Sequence, residues 1–392
     1  MEKQGVSGTR IAMVYIGTVV GAGFATGQEI LQFFAAFGIG GLWGIALSTV
    51  LFVVYGVLIM RIGMAASAVS HREMLAAVGG PMFRVGMDAL IMLSLFGALT
   101  AMLAGTGALF GQQFGLAPAL GAAMMGVLTV LTVLRGLRGV IGAISAVVPF
   151  LLVAVVVVCV FVLMEGGNIV PESGRPRTIV PTGLVGNWIW AAVLYGAYNI
   201  LMSAAVLAPL GAEASDRRAI FRGGALGGIG LGAASVMIYL AISASHADVG
   251  GLEVPMLYLA GRISPMAGVL FALVLLAEVY TTAVGALYGF SARVGARNSP
   301  PSEGWQAKPD GVASRGCPPR RTTPPPAAAP LHGRGISVAT LGIVGTAIAA
   351  FFASLLGFSN LVRYLYPLQG YGGVVFLVVL GLAWRRGRGR MG

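Results

Sequence analysis

Charge is scarce in this chain. Of its 392 residues only 10% are Asp, Glu, Lys or Arg, while 57% are apolar. A soluble domain carries about 25% charged residues, so a soluble globular protein is excluded. Disorder as the main state is excluded too, because it needs low hydrophobicity and high charge. Cysteine is nearly missing. Cys159 sits in an apolar run and Cys317 in a polar stretch, which rules out a disulfide framework and is too little for a metal cluster. The three histidines, His71, His246 and His332, fall in loops and form no metal-ligand spacing. No nucleophile elbow, Walker loop or His-Glu-x-x-His is found. The expectation is therefore a protein that is not an enzyme and carries no cofactor beyond a possible coupling ion. Short alternating segments are lacking, which excludes a β-barrel. A cleavable signal peptide is not expected, since the first apolar run is too long for one.

What is present is a series of ten apolar segments, at about 10–37, 40–62, 85–110, 119–134, 140–164, 187–210, 223–245, 264–291, 336–356 and 364–384. Each approaches or exceeds the ~20 residues that cross a bilayer as a helix. Glycine supplies 60 residues, and small residues let membrane helices pack closely. With a cytoplasmic N-terminus, twenty-one of the Lys and Arg residues fall in cytoplasmic segments. Only Arg175, Arg177, Arg262 and Arg363 fall outside. That asymmetry is the positive-inside pattern. The net charge of +12 is thus a topology signal and not a nucleic-acid footprint. The reading is an all-α polytopic protein of the bacterial cytoplasmic membrane, bathed in lipid, with both termini cytoplasmic.

Residues 1–297 form a core of eight helices, and 335–392 hold the last two with a basic tail. Between them, 298–334 is rich in Pro and Arg and reads as a disordered cytoplasmic insert. Residues 71–79 read as a short cytoplasmic helix and 252–263 as an outer one.

The first segment contains Gly17-Thr18-Val19-Val20-Gly21-Ala22-Gly23-Phe24-Ala25-Thr26-Gly27-Gln28-Glu29. Four glycines at mid-span favour departure from helical geometry. Unwound backbone in a membrane must line a cavity or be buried in protein. The functional reading is a discontinuous helix at a solute site, where freed N–H groups can hold a carboxylate and freed carbonyls a cation. Close packing through small residues is the plainer alternative. Thr26, Gln28 and Glu29 support the functional reading, since polar groups at membrane depth are usually functional. Glu29 would line an outer vestibule or pair with a solute amine; a structural hydrogen bond is its alternative.

Segment six carries Tyr195-Gly196-Ala197-Tyr198-Asn199, which predicts a second break, against an intact helix whose Tyr and Asn bond to neighbours. Breaks in helices one and six imply two inverted five-helix repeats. In segment eight, Glu278, Thr281 and Thr282 share a face. With carbonyls from an unwound helix they make an all-oxygen site suited to Na⁺; bonds from each Thr to its own i−4 carbonyl are the alternative. Glu278 could instead carry a coupling proton. Asp88 reads as a first-turn acid favouring a helix N-terminus.

The stretch GAGFATGQEILQFFAAFG resembles the start of the YkvI-like membrane proteins, a bacterial group of amino-acid permeases. The group is similar to the amino acid–polyamine–organocation superfamily, whose members share the LeuT-type fold. The resemblance implies a cation site built from the carbonyls of Gly17 and Val20, the carbonyl of Glu278 and the hydroxyls of Thr281 and Thr282. It implies solute carboxylate binding at the N–H groups of Ala22, Gly23 and Phe24, beside Gly21, and gating by aromatics near Tyr195 and Tyr198. Two departures stand out. A carboxylate occupies position 278, which is usually neutral, and segment five lacks the lysine that some proton-coupled relatives keep. The implied function is secondary active transport of a small amino-acid-like solute by alternating access, coupled to Na⁺, with H⁺ coupling or a solute sensor as alternatives.

Overall fold

The computed structural model describes residues 5–68, 70–135, 140–165, 184–298 and 338–387. Within them each of the ten apolar segments is helical. The first is in pieces: α1 (Gly8–Val19), α2 (Ala22–Ala25) and α3 (Gln28–Phe33). There follow α4 (Ile39–Ala65), α5 (His71–Val78), α6 (Pro81–Phe114), α7 (Pro118–Arg135) and α8 (Val140–Met164). The second half comprises α9 (Trp188–Ala212), α10 (Arg217–Ala244), the short α11 (His246–Val249) and α12 (Pro255–Ile263), then α13 (Pro265–Asn298) and α14 (Val338–Ser354). The last span begins at α15 (Phe358–Asn360), passes through a π-turn at Leu361–Leu365 and continues as α16 (Tyr366–Gly387).

Seven of the described helices are long and apolar enough to cross a membrane, and α8 and α14 contribute shorter apolar stretches. Their outward faces carry exposed apolar side chains such as Val127 and Leu131 on α7, Phe150 and Val153 on α8, and Leu226 and Ile229 on α10. Only lipid makes such faces favourable.

Local chemistry sets the ends. The expected cytoplasmic helix is α5, closed by a capping box in which Ser70 and Glu73 satisfy each other's backbone ends. Pro81 at its first turn starts α6 earlier than the apolar run, and Gly115, with φ +64°, ends it later. Asp88 consequently lies two turns inside the helix and not in its first turn, and it faces His71 at 3.8 Å and Arg72 at 3.6 Å. The side chains of Asn187 and Asp216 cap α9 and α10. The expected insert at 298–334 lies outside the described residues, apart from Asn298 at the end of α13.

The break expected in helix six is not found. α9 is helical from Trp188 through Ala212. Gly196 serves contact, since a β-carbon there would lie 2.9 Å from Leu51. The Asn199 amide donates to the Tyr195 carbonyl at 3.1 Å. Its polarity is met inside its own helix and requires no unwound backbone.

The packing is reciprocal between halves. The first span lies on the seventh, α1 on α10, as the sixth lies on the second, α9 on α4. In the latter pair Gly63 touches the Ala208 carbonyl and Gly211 the Met60 carbonyl, so two backbones meet directly. A second group, α6, α7, α13 and α14, packs together, with α8 joining α13 to α10. The broken first helix lies where the groups meet: α2 contacts α13, while α3 contacts α9 and α10.

Candidate functional site

The first helix departs from helical geometry twice. Val20 has φ −72° and ψ 94°, which takes the chain out of α1. Among the described residues the carbonyls of Gly17 and Val20 find no N–H donor, and the N–H groups of Gly21, Gly23 and Phe24 find no acceptor. Ala22 begins α2. The second departure is at Gly27, whose φ of +79° is in the left-handed region. A side chain there would also crowd Met256, 2.9 Å away, and Ile242 at 3.0 Å.

That turn separates α2 from α3. The Glu29 carboxylate comes to rest on Gly23, where a β-carbon would collide with it. The reading of Glu29 as lining an outer vestibule is corrected by this contact, which leaves its carboxylate buried. Glu29 is 5% exposed. The Tyr198 hydroxyl faces its carboxylate, without closing to a hydrogen bond. Tyr195 and Tyr366 lie within its electrostatic reach. The rings form one cluster: Tyr195 to Tyr198 5.7 Å, Tyr198 to Tyr366 5.1 Å, Phe33 to Tyr195 5.5 Å, Phe34 to Tyr195 4.9 Å and Phe52 to Tyr195 5.9 Å between centroids.

The other polar residues of this stretch go elsewhere. The Thr26 hydroxyl donates to the Gly23 carbonyl at 3.0 Å and accepts from the Gln28 N–H at 3.3 Å, which knits the turn. The Gln28 amide donates to Ser359 at 2.7 Å. Asn199 is committed to its own helix. The sequence expectation thus groups ten residues, of which Glu29, Tyr195 and Tyr198 meet through their side chains.

Both mouths are tied. On the side of α12, the Met256 N–H donates to the Thr26 carbonyl at 3.0 Å, and Gln112 exchanges hydrogen bonds with the Val254 backbone at 2.9 and 3.3 Å. Glu253 accepts from the Ser359 N–H at 3.3 Å. On the opposite side, Val6 donates to the Glu213 carbonyl at 2.9 Å and accepts from Ser215 at 3.2 Å.

On α13 the Thr281 hydroxyl donates to the Glu278 carbonyl at 2.9 Å, and the Thr282 hydroxyl faces Glu278 Oε1 at 3.5 Å. Glu278 is 4% exposed, and its Oε2 has no hydrogen-bond partner among the described residues. Thr282 is therefore turned to the carboxylate and not to its i−4 carbonyl. Thr281 back-bonds one residue nearer than the i−4 pattern. The two carbonyls of the break belong to the end of α1, at Gly17 and Val20, and the next piece of the same span, α2, contacts α13.

Tyr366 escaped sequence reasoning. Read as a span beginning at 364, segment ten puts it at the membrane surface. The span instead begins at Phe358, and the π-turn before Tyr366 carries it deeper, about two turns in. The Arg363-Tyr364-Leu365-Tyr366-Pro367 stretch is the available signal, and it also fits an interfacial belt.

No family model matches the chain. It is 29% identical over 382 residues to the uncharacterized membrane protein YkvI of Bacillus subtilis (strain 168), with 97% of each chain covered. By structure it is similar to a substrate-bound, outward-open Na⁺-coupled sialic acid symporter, with a TM-score of 0.58 and 13% identity over 96% of this chain and 79% of that one. It is also similar to MhsT in complex with L-phenylalanine, with a TM-score of 0.55 and 16% identity over 92% and 81%. The chain is thus similar to YkvI over nearly its whole length, and it is an all-α polytopic membrane protein with the LeuT-type fold.

Proposed function

We propose that the chain is a secondary active transporter of a small amino-acid-like solute, working by alternating access in the bacterial cytoplasmic membrane with Na⁺ as coupling ion. The observation that carries the reading is the Val20–Gly21 break, with its unpaired carbonyls and N–H groups among the described residues, which leads into α2, the piece of the first span that contacts α13. Unwound backbone at membrane depth is tolerated where it is buried in protein or lines a cavity, and broken helices at such places hold solute and ions in transporters. In this reading the Gly17 and Val20 carbonyls join the Glu278 carbonyl, Thr281 and Thr282 around Na⁺, a hard cation that prefers oxygen. The N–H groups of Ala22, Gly23 and Phe24 receive the solute carboxylate. Tyr195 and Tyr198 close over the bound solute. One structural neighbour is a Na⁺-coupled symporter and another binds L-phenylalanine, which supports the ion and the solute class. The distribution of Lys and Arg supports cytoplasmic termini.

A second reading, H⁺ coupling, is favoured by one observation. The Glu278 carboxylate is buried in the same place, with one oxygen unpartnered and the other facing Thr282.

The test is accumulation of a radiolabelled mixture of the standard amino acids by proteoliposomes under an inward Na⁺ gradient, against an equal K⁺ gradient and against an inward H⁺ gradient. Accumulation with Na⁺ alone is expected. Accumulation with H⁺ alone transfers the coupling to Glu278. No accumulation under any gradient overturns the transport reading.

A further inference from the structure

The box around Glu29 contains more unmet chemistry than a gate needs. Glu29 Oε2, Tyr195 Oη and Tyr198 Oη all lack a hydrogen-bond partner among the described residues. All three residues are at least nine-tenths buried. Among the described residues no Lys or Arg pairs with the Glu29 carboxylate. The Tyr195 hydroxyl also faces Ser235, whose own hydroxyl donates to the Leu231 carbonyl at 2.9 Å. A buried carboxylate with no partner is unfavourable, and so is each unpaired buried hydroxyl. Aromatic rings wall the same space, with Tyr366 on Tyr198 and Phe33 at 5.5 and 5.9 Å from Tyr195 and Tyr198.

We propose that this box holds the ammonium end of the solute and selects a primary ammonium, an inference that rests on reading the same site as a solute site. A carboxylate and ring faces both attract a cation. What separates the cations is donor count. A primary ammonium carries three N–H donors, one for each of the three unpartnered oxygens. A quaternary ammonium enjoys the rings but has no donor, and leaves every oxygen unmet. A carboxylate placed here meets Glu29 as a like charge. The solute's amine is then its main recognition feature, and Tyr366, brought to the box by the π-turn, contributes the ring face of the tenth span.

The probe is methylammonium, the smallest primary ammonium. Thermal unfolding of the full chain in detergent is followed with about 100 mM methylammonium, tetramethylammonium or acetate at fixed ionic strength, since a ligand of the folded state raises stability by mass action. A rise in midpoint with methylammonium only is expected. It should vanish in Glu29→Gln and shrink in the conservative Tyr198→Phe, which keeps the ring and removes one acceptor. No response to methylammonium in the wild type, an equal response to tetramethylammonium, or an undiminished response in Glu29→Gln overturns the proposal. The transport reading fails separately. A methylammonium response without accumulation of amino acids supports the box and overturns transport. Accumulation that methylammonium neither competes with nor accompanies with a midpoint shift overturns the box alone.

Discussion

The Glu29 carboxylate rests on the α-carbon of Gly23, close enough that a methyl group there would collide with it. Residues six apart meet this way across the turn at the left-handed Gly27. A Gly23→Ala substitution therefore pushes the carboxylate away from Tyr198 without touching the helix packing. The expected result is a protein that assembles and elutes normally but loses about tenfold or more of its initial uptake rate, equivalent to ~1.4 kcal/mol. Size-exclusion profiles and proteoliposome uptake, measured side by side, check both halves.

The two hydroxyls of α13 are tested by ion-dependent stability. A ligand confined to the folded state adds ~2.7 kcal/mol at a hundred times its dissociation constant. Wild type should unfold at a higher temperature in NaCl than in KCl of equal ionic strength. Thr281→Val combined with Thr282→Val should erase the difference. A Na⁺ effect that persists in the double variant places the ion elsewhere.

Asn199 tests the continuity of the sixth span. Among the described residues its amide has its partner within α9, the Tyr195 carbonyl, so Asn199→Ala removes a local bond worth about 0.5–1.5 kcal/mol. Uptake within about threefold of wild type is expected. A far larger loss, with stability unchanged, would show that Asn199 contacts the solute and that α9 opens during the cycle.

Outside the membrane, Ser70 and Glu73 set a pH dependence. Glu73 Oε2 accepts from the Ser70 N–H at 2.6 Å and from its hydroxyl at 2.7 Å. These bonds, the hydroxyl first, hold the Glu73 carboxyl below its ordinary range. A carboxylate depressed in the folded state stabilises above its unfolded pKa, about 4.3, and that contribution fades as pH falls through the folded value. Protection of the α5 amides, measured as hydrogen exchange relative to the intrinsic rate at each pH, should be greatest at neutral pH and fall as pH drops below the unfolded pKa through the lower folded value. Glu73→Gln should flatten that profile, and Ser70→Ala should speed exchange at every pH by the ~1 kcal/mol typical of a lost cap.

Much of this molecule was legible in one dimension. Helix count, the membrane class and the break in the first span are local matters. A run of twenty apolar residues must become a helix in lipid because the backbone has no other donors and acceptors there. Clustered glycine at mid-span weakens that helix on its own account. The resemblance carried by GAGFATGQEILQFFAAFG extends, in the alignment to YkvI, over nearly the entire chain.

What stayed hidden depends on neighbours distant in sequence. Gly196 and Asn199 look like a second break until Leu51 is seen to need the space and Tyr195 to accept the amide. Glu29 looks like a vestibule residue until the turn at Gly27, wedged between Met256 and Ile242, folds it back onto Gly23. Tyr366 looks interfacial until the π-turn carries it against Tyr198. The sequence by itself determined which segments are helical and buried in lipid, since hydropathy and backbone hydrogen bonding act within a segment. Tertiary structure alone decided which polar groups were left without partners, because satisfaction is a property of the whole packed neighbourhood. Among the described residues those groups include Glu29, Tyr195, Tyr198 and Glu278, contributed by three separate spans.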